Sequence, residues 1–481
     1  MKALTNLNIL NYVVYSTLYI LKFIISGLTR FYSLGGMGMN KVASLEKQTT
    51  RKVTRRLVPF LITLYIIAFL DRANLGYAAL EMNEALGLTS QMFGVASGIF
   101  FISYFLCEVP SNIMLEKFGA KKWIARILIT WGIVVVLTGF VQSATHLYIL
   151  RFVLGALEAG FFPGVILYLT YWFRAKERAK TIAMFMTAIA ISYIVGAPLS
   201  TWIMDNIHWM GLDGWRWMFV LEGVPAVILG IVTLFYLTNR PEQAKWLSSE
   251  EKQWLVSELE KERVEKAKVD ADKKLVGHKQ TLTNPRVWYL AIIYFLFNIG
   301  IYGVGFWLPQ IIKSLSEVLT NLQIGLLTMI PYIAGAIVMN IWSRRSDRSG
   351  ERRIHAAIPL IVGSLGLFAS GMSSNPFLAI GFMVIAVSGM YSFYGPFWSL
   401  VTQFLSTSAA AVGIAVINSI GNLSGFAGPY GIGLIQDATG KVSVALFFLS
   451  GSLLVASALL FAMRRSQLKV SQENSHTSTN Q

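Results

Sequence analysis

Apolar residues fall in long runs along this chain, most of them about twenty residues or longer, with short polar loops between them. Their approximate limits are 58–79, 92–115, 123–143, 147–172, 179–204, 217–237, 287–312, 321–342, 355–373, 376–402, 408–435 and 442–463. At a rise of about 1.5 Å per residue, a helix of such length crosses the hydrocarbon core of a bilayer. The pattern predicts an all-α polytopic membrane protein with twelve transmembrane helices.

The loops alternate in charge. Arg51, Lys52, Arg55 and Arg56 precede the first run, Lys117, Lys121 and Lys122 follow the second, and Arg174, Lys176 and Arg178 follow the fourth. Loops 80–91 and 374–375, on the other side, contain neither Lys nor Arg. Cytoplasmic loops retain cations, so both termini are expected in the cytoplasm, as an even number of spans requires.

One long polar segment, 239–286, separates a six-span half at 49–238 from another at 287–463. Within it Ser248 and Glu251 form a capping box that opens a charged helix running to about residue 274. Trp254, Leu255 and Leu259 leave a narrow apolar stripe suited to rest on the floor of the membrane domain; otherwise the helix reads as solvated. The tail at 464–481 is short, polar and expected to be disordered. The extension 1–48 fits less well, since its apolar stretch 9–28 carries Lys22. That stretch reads as an extra span or a signal anchor, or, the preferred reading, as untranslated because translation starts at Met37 or Met39 and leaves an ordinary basic leader.

Composition sharpens this picture. Of the 481 residues 54% are hydrophobic and only 14% charged, outside the range of a soluble globular domain. A net charge of +16 would suit nucleic acid, but the cations sit between apolar runs and so reflect topology; no nucleic-acid partner is expected. The single cysteine, Cys107, excludes an intrachain disulfide. His208 and His355 are loop residues without metal-like companions. The chain holds no phosphate-cradling glycine loop, no HExxH and no Ser/His/Asp constellation, so neither an enzyme nor a cofactor is expected.

The halves repeat. Glu116-Lys117-Phe118-Gly119-Ala120-Lys121-Lys122 follows the second span, and Asp347-Arg348-Ser349-Gly350-Glu351-Arg352-Arg353 follows the eighth. Both read acid, base, any, Gly, any, base, base, with a glycine for a tight turn and charges able to pair with neighbouring helix ends. Two copies in equivalent loops indicate duplication and two six-helix pseudo-repeats.

Charges inside the spans are rare and concentrated in the first half. LRFVLGALEAGFFPG, at 150–164, holds Arg151 and Glu158 seven residues apart, about two helical turns, so they share a face. Each costs roughly 2.5–3.5 kcal/mol to insert, so each must face a partner or a wet cavity. Asp71 and Arg72 in the first span are neighbours and point about 100° apart, so one can face the centre while the other turns to an adjacent helix such as span four.

Asp71-Arg72-Ala73-Asn74, the 150–164 stretch and GWRWMFVLEGVP at 214–225, together with the paired loops, resemble the major facilitator superfamily and, within it, the anion:cation symporters. The chain looks most like the tartrate, 4-hydroxyphenylacetate and phthalate-type permeases over about residues 51–465. The resemblance implies the major facilitator fold and uptake of a small organic anion together with protons; the basic leader and short loops fit a bacterial inner membrane, and a monomer is expected. It implies proton coupling at Asp71 and Glu158, and anion binding or tuning at Arg72 and Arg151. Arginine suits this work because its charge persists and its fork meets a carboxylate at two points. Tyr104, Trp398 and Asn418 match substrate-contacting positions, and Asn422 shares a face with Asn418. Glu116, Lys117, Gly119, Asp347, Arg348 and Gly350 match the gating loops.

Several residues take plainer readings. Glu108 is read as gating or structural. Gly160 and Gly164, and Gly421 and Gly425, are small-xxx-small pairs for close helix approach. Span five offers Ile189 and Ile191 where sugar-acid members place an amide, which favours a smaller or aromatic acid. Organophosphate:phosphate antiport is the rival mechanism, but span seven lacks the basic residue it needs. Drug efflux is disfavoured because the span-five motif is reduced to Gly196-Ala197-Pro198, and a nutrient sensor because the tail is short.

Overall fold

The computed structural model describes residues 41–272, 282–315, 318–404 and 407–463. The apolar stretch 9–28, the candidate starts at Met37 and Met39, and the tail 464–481 lie outside them. Fourteen α-helices follow in order, with no strand among the described residues. In the first half they are α1 (Lys41–Ala85), α2 (Ser90–Phe118), α3 (Ala120–Thr138), α4 (Ala144–Glu158), α5 (Phe161–Thr170), α6 (Ala175–Asn206) and α7 (Gly214–Tyr236). The linker helix is α8 (Ser249–Asp272). The second half has α9 (Pro285–Leu315), α10 (Asn321–Ser349), α11 (Arg353–Met372), α12 (Pro376–Phe404), α13 (Thr407–Thr439) and α14 (Val442–Ala462).

Local chemistry sets the helix starts. The hydroxyl of Thr89 accepts from Met92 N at 3.2 Å ahead of α2, and Thr320 and Gln323 form a reciprocal capping box ahead of α10. Prolines stand inside α1, α2, α6, α7 and α9 through α13, as bundled membrane helices tolerate. The fourth apolar run is a single span by sequence but two helices in the structure. Gly160, at φ +86°, breaks it, and a Cβ there would lie 2.4 Å from Ser111 Oγ of α2. That close approach and the left-handed backbone together require glycine.

The same pairings recur in each half: α1 with α6 as α9 with α13, α2 with α4 as α10 with α12, and α3 with α7 as α11 with α14. Across the halves α2 packs on α13, α6 on α10 and α1 on α9. The small-residue pairs do what their spacing indicates. A Cβ on Gly164 would lie 2.4 Å from Leu115, one on Gly421 2.2 Å from Tyr294, and one on Gly425 2.4 Å from Phe101.

The halves meet at the end that carries loop 80–91. At the end that carries loop 80–91, the backbone N–H groups of Ser90 and Gln91 donate to Asp437 at 3.0 and 2.8 Å. There Asn321 donates to Glu81 at 2.6 Å, Leu322 N to Asp205 at 2.8 Å, and Asn83 to Gln310 at 3.2 Å. Deeper in, Tyr193 of α6 stacks on Tyr332 of α10 at 4.4 Å. Toward the end with the basic loops, Ala183, Met186 and Thr187 of α6 and Ile337, Val338 and Ile341 of α10 are exposed.

The basic loops are built differently in the two copies. Gly119 (φ +86°) presses on the Asn239 side chain, whose Oδ1 accepts from Lys121 N at 2.9 Å, while Glu116 and Lys117 are exposed. Gly350 (φ +67°) is the left-handed cap of α10; Asp347 pairs with Arg352 at 2.6 Å and Arg348 is exposed.

The linker helix is less solvated than its composition implies. Its capping box forms, with Ser248 N donating to Glu251 at 2.8 Å and Glu251 N to the Ser248 hydroxyl at 3.1 Å. Leu255 is buried, and Arg174 lies over the Trp254 ring at 4.7 Å. Charges beside this stripe pair with the first half: Lys52 with Glu251 at 2.8 Å, Arg174 with Glu258 at 3.2 Å, and Arg178 with Glu262 at 3.0 Å. Lys261 and then Arg174 hold the Glu258 carboxyl below its ordinary range.

Candidate substrate and coupling site

Arg72 of α1 meets Glu158 of α4. The Nε of Arg72 and one terminal nitrogen both donate to Glu158 Oε1, at 2.8 and 2.6 Å. The Glu158 side chain is 1% exposed and that of Arg72 16%, so the pair is dry on its acidic side and accessible on its basic side. The Arg72 guanidinium lies 5.2 Å from the Phe69 and Phe100 rings and 5.1 Å from Tyr104. Such ring faces attract a cation and keep it from water.

Arg151 joins the same cluster. Its Nε donates to the Ala96 carbonyl at 3.2 Å, and its guanidinium lies 5.1 Å from the ring of Phe100. One terminal nitrogen is buried without a partner, a donor still able to take up an anion's oxygen. The seven-residue spacing therefore puts Arg151 and Glu158 where it implied, on the face that meets α1 and α2.

Asp71 turns the other way. Trp131 of α3 donates to its Oδ2 at 2.8 Å, and its Oδ1 is buried without a partner. The two neighbours do split, with Arg72 reaching span four and Asp71 reaching span three. Asp71 is thus outside the arginine cluster but within electrostatic reach of Glu158.

Tyr104, the candidate on α2, is buried against Arg72. Trp398 on α12 is half-buried and packs edge-on against Tyr294 of α9 at 5.1 Å. Asn418 on α13 is half-buried, and Asn422 one turn on accepts a hydrogen bond from Tyr302 at 3.1 Å. Tyr302 is the link that sequence reasoning missed. It lies on α9, its ring is 4.5 Å from Phe101 of the first half, and it is within electrostatic reach of Arg72 and Glu158. Its signal was a lone tyrosine between glycines in IYGVG of span seven. Glu108 of α2 is 9% exposed and lies beside Ser419 of α13. Glu116, Lys117, Gly119, Asp347, Arg348 and Gly350 lie at the basic-loop end, away from this cluster.

Two equivalent sets of six spans that close on one end, around a partly accessible arginine, define a membrane-embedded secondary transporter of small molecules. The comparisons agree and exclude an enzyme. The chain belongs to the Major Facilitator Superfamily, whose family model matches residues 61–429. It is 48% identical over 424 residues, 88% of this chain and 96% of the relative, to a protein of Agrobacterium vitis named "Putative tartrate transporter". This agrees with the anion:cation symporter resemblance. A quinolone resistance transporter of Acinetobacter baumannii is 40% identical, covering 84% of this chain and 92% of its own length. Among solved structures, the xylose transporter XylE from E. coli in a partially occluded inward open conformation aligns with a TM-score of 0.69. That match covers 85% of this chain and 97% of XylE at 15% identity, and so speaks for the fold alone.

Proposed function

We propose that this protein imports a small organic carboxylate with protons, by alternating access, across a bacterial inner membrane with both termini cytoplasmic. The observation that carries the reading is the buried Arg72–Glu158 pair, with the unpartnered nitrogen of Arg151 behind the same phenylalanine. In this pair one proton and one carboxylate are exchangeable currencies. Protonating Glu158 removes the charge that occupies Arg72 and frees the guanidinium for a substrate carboxylate. With substrate gone and Glu158 ionised again, the pair re-forms. Each half-cycle thus leaves the core without an unpaired charge, the condition for moving it through a bilayer.

Tyr104 borders the arginine, while Tyr302, Asn422, Asn418 and Trp398 supply neutral contacts from the other half. Tartrate heads the candidate acids, on the printed name of the Agrobacterium relatives. The basic-loop end faces the cytoplasm in this reading, so the conformation is open inward. Phosphate-ester exchange is disfavoured, since every described cation of the second half lies near a helix end. Export of a quinolone is the second reading, favoured by the Acinetobacter relative alone.

The test is uptake into proteoliposomes of labelled tartrate, 4-hydroxyphenylacetate, phthalate, a sugar acid and glycerol 3-phosphate, with and without an inward proton gradient. Gradient-driven accumulation of one carboxylate is expected. Exchange of the phosphate ester only against phosphate, or proton-driven quinolone export with no acid uptake, would replace this reading.

A further inference from the structure

A second buried carboxyl lies within electrostatic reach of Asp71. Glu222 of α7 is 2% exposed, and its Oε1 accepts from Ser200 Oγ of α6 at 2.6 Å. Its Oε2 is buried without a partner. Asn74 of α1, 0% exposed, lies beside it with both amide atoms unpartnered. Asp71, one turn earlier on α1, is within electrostatic reach of Glu222 and has its own unpartnered oxygen.

No cation answers these acids. From α1 the groups facing Glu222 are Asp71, Asn74 and the Tyr77 phenol; from α6 it is the Ser200 hydroxyl. The helix α3 carries its ionisable residues Lys121, Lys122 and Arg126 in its first two turns, where Arg126 lies over Trp123 at 3.9 Å. Among the described residues, neither Asp71 nor Glu222 belongs to an ion pair. Two ionised carboxylates here would repel each other and leave bare anionic oxygens in a dry core. A carboxylic acid at Glu222 removes the repulsion, and its O–H can donate to the Asn74 side-chain oxygen.

Ser200 also sits where α6 seals against α10. The Thr201 hydroxyl comes within 2.1 Å of where a Cβ on Gly325 of α10 would stand, and Asp205, one turn on, accepts from Leu322 N. The oxygen that Glu222 holds therefore belongs to the turn that closes the two halves.

We propose that Glu222 is a second proton-carrying group of the transport cycle, with Ser200 and Asn74 as its hydrogen-bond partners, and that its protonated form belongs to the conformation closed at the loop 80–91 end. The step is a proton transfer alone. Glu222 takes H⁺ from water at one side and returns it to water at the other, while the substrate keeps all its bonds. The inference rests on the proton-coupled reading above and adds a group outside the arginine cluster.

The experiment uses the full chain in proteoliposomes with the acid found by the uptake panel, and takes the protons moved per substrate from the reversal potential. Glu222→Gln is expected to carry one proton fewer per substrate than the wild type. An unchanged proton count would overturn the assignment, as would sodium-dependent uptake that Glu222→Gln abolishes, which would make the cluster a sodium site. Should Glu222→Gln fail to insert, Ser200→Ala decides, because it keeps the carboxyl and removes its donor. Its pH for half-maximal uptake is expected to move by about half a unit or more; an unmoved profile counts against the proposal. A wild type that takes up no acid with protons removes the coupling reading itself. A coupled wild type with an unaltered Glu222→Gln variant removes only Glu222.

Discussion

The two halves of this molecule share a backbone plan and divide the chemistry unequally. In the first, four ionisable side chains lie buried on α1, α4 and α7: Asp71, Arg151, Glu158 and Glu222, with the partly exposed Arg72 paired to Glu158. In the second, the corresponding depth holds amides, hydroxyls and rings, among them Asn298, Tyr302, Tyr394 and Asn422. Duplication fixed the pairing of helices, since equivalent helices must bury equivalent apolar faces. It did not fix the charges, because a buried charge is tolerated only where partners converge on it. One half can therefore carry the titration while the other supplies shape and neutral contacts.

Breaking the charged half should have the largest effect. Arg72→Ala leaves Glu158 buried without its partner, a loss on the order of 3–5 kcal/mol in stability when one member of such a pair is removed. Uptake is expected to vanish and the detergent-solubilised protein to melt earlier; normal uptake would refute the central role of the pair. In Glu158→Gln, by contrast, the neutral side chain imitates the protonated acid. Substrate counterflow should then persist while proton-driven accumulation is lost, and equal loss of both would sink that assignment.

Glycines sharpen the same contrast one step down. A Cβ on Gly155 of α4 would lie 2.1 Å from the Phe100 carbonyl oxygen and 2.2 Å from Ser103 Oγ, so Gly155→Ala must push α4, which carries Arg151 and Glu158, away from α2. Overpacking of this kind costs about 1–3 kcal/mol, to be read as a fall in melting temperature with weakened substrate binding. Gly451→Ala in α14 meets nothing within 4 Å and should leave both unchanged.

Touching the neutral half should alter affinity without touching coupling. Tyr302→Phe deletes the hydroxyl that donates to Asn422. A net loss of about 1 kcal/mol per hydrogen bond corresponds to a several-fold rise in KM. Protons per substrate should stay constant; a changed proton count would mean that the second half takes part in titration.

The smallest effect lies at the linker. Because Lys261 and Arg174 hold Glu258 below its ordinary value, its contribution is present above the unfolded value and fades as pH falls through the lower, folded one. Exposed pairs of this sort are worth roughly 0.2–1 kcal/mol each and are screened by salt. Hydrogen exchange of α8 should therefore speed up below about pH 4 and in high salt, and Glu258→Gln should remove much of that dependence.

What was legible in the sequence is what a local rule decides. Twelve apolar runs had to become helices because a bilayer offers the backbone no other partners, and both loop motifs announced the duplication. Ser248 and Glu251 announced the linker helix by spacing alone. Arg151 and Glu158 announced a shared face, and the adjacency of Asp71 and Arg72 announced that they diverge. The break at Gly160 was hidden inside an apolar run, since only the approach of Ser111 makes that glycine necessary. Tyr302 was hidden likewise, as nothing local separates a tyrosine that packs from one that reaches Asn422.

The sequence by itself thus determined the number of spans, the halves and the stock of intramembrane charges, for these follow from period, length and hydrophobicity. Only the tertiary structure decided which charge meets which. Arg72 took Glu158 from a helix 86 positions away, Asp71 took Trp131 from another, and Glu222 was left with a serine and no cation. The physical reason is that the cost of a buried charge is set by the few ångströms around it, and the packing of distant helices supplies those neighbours.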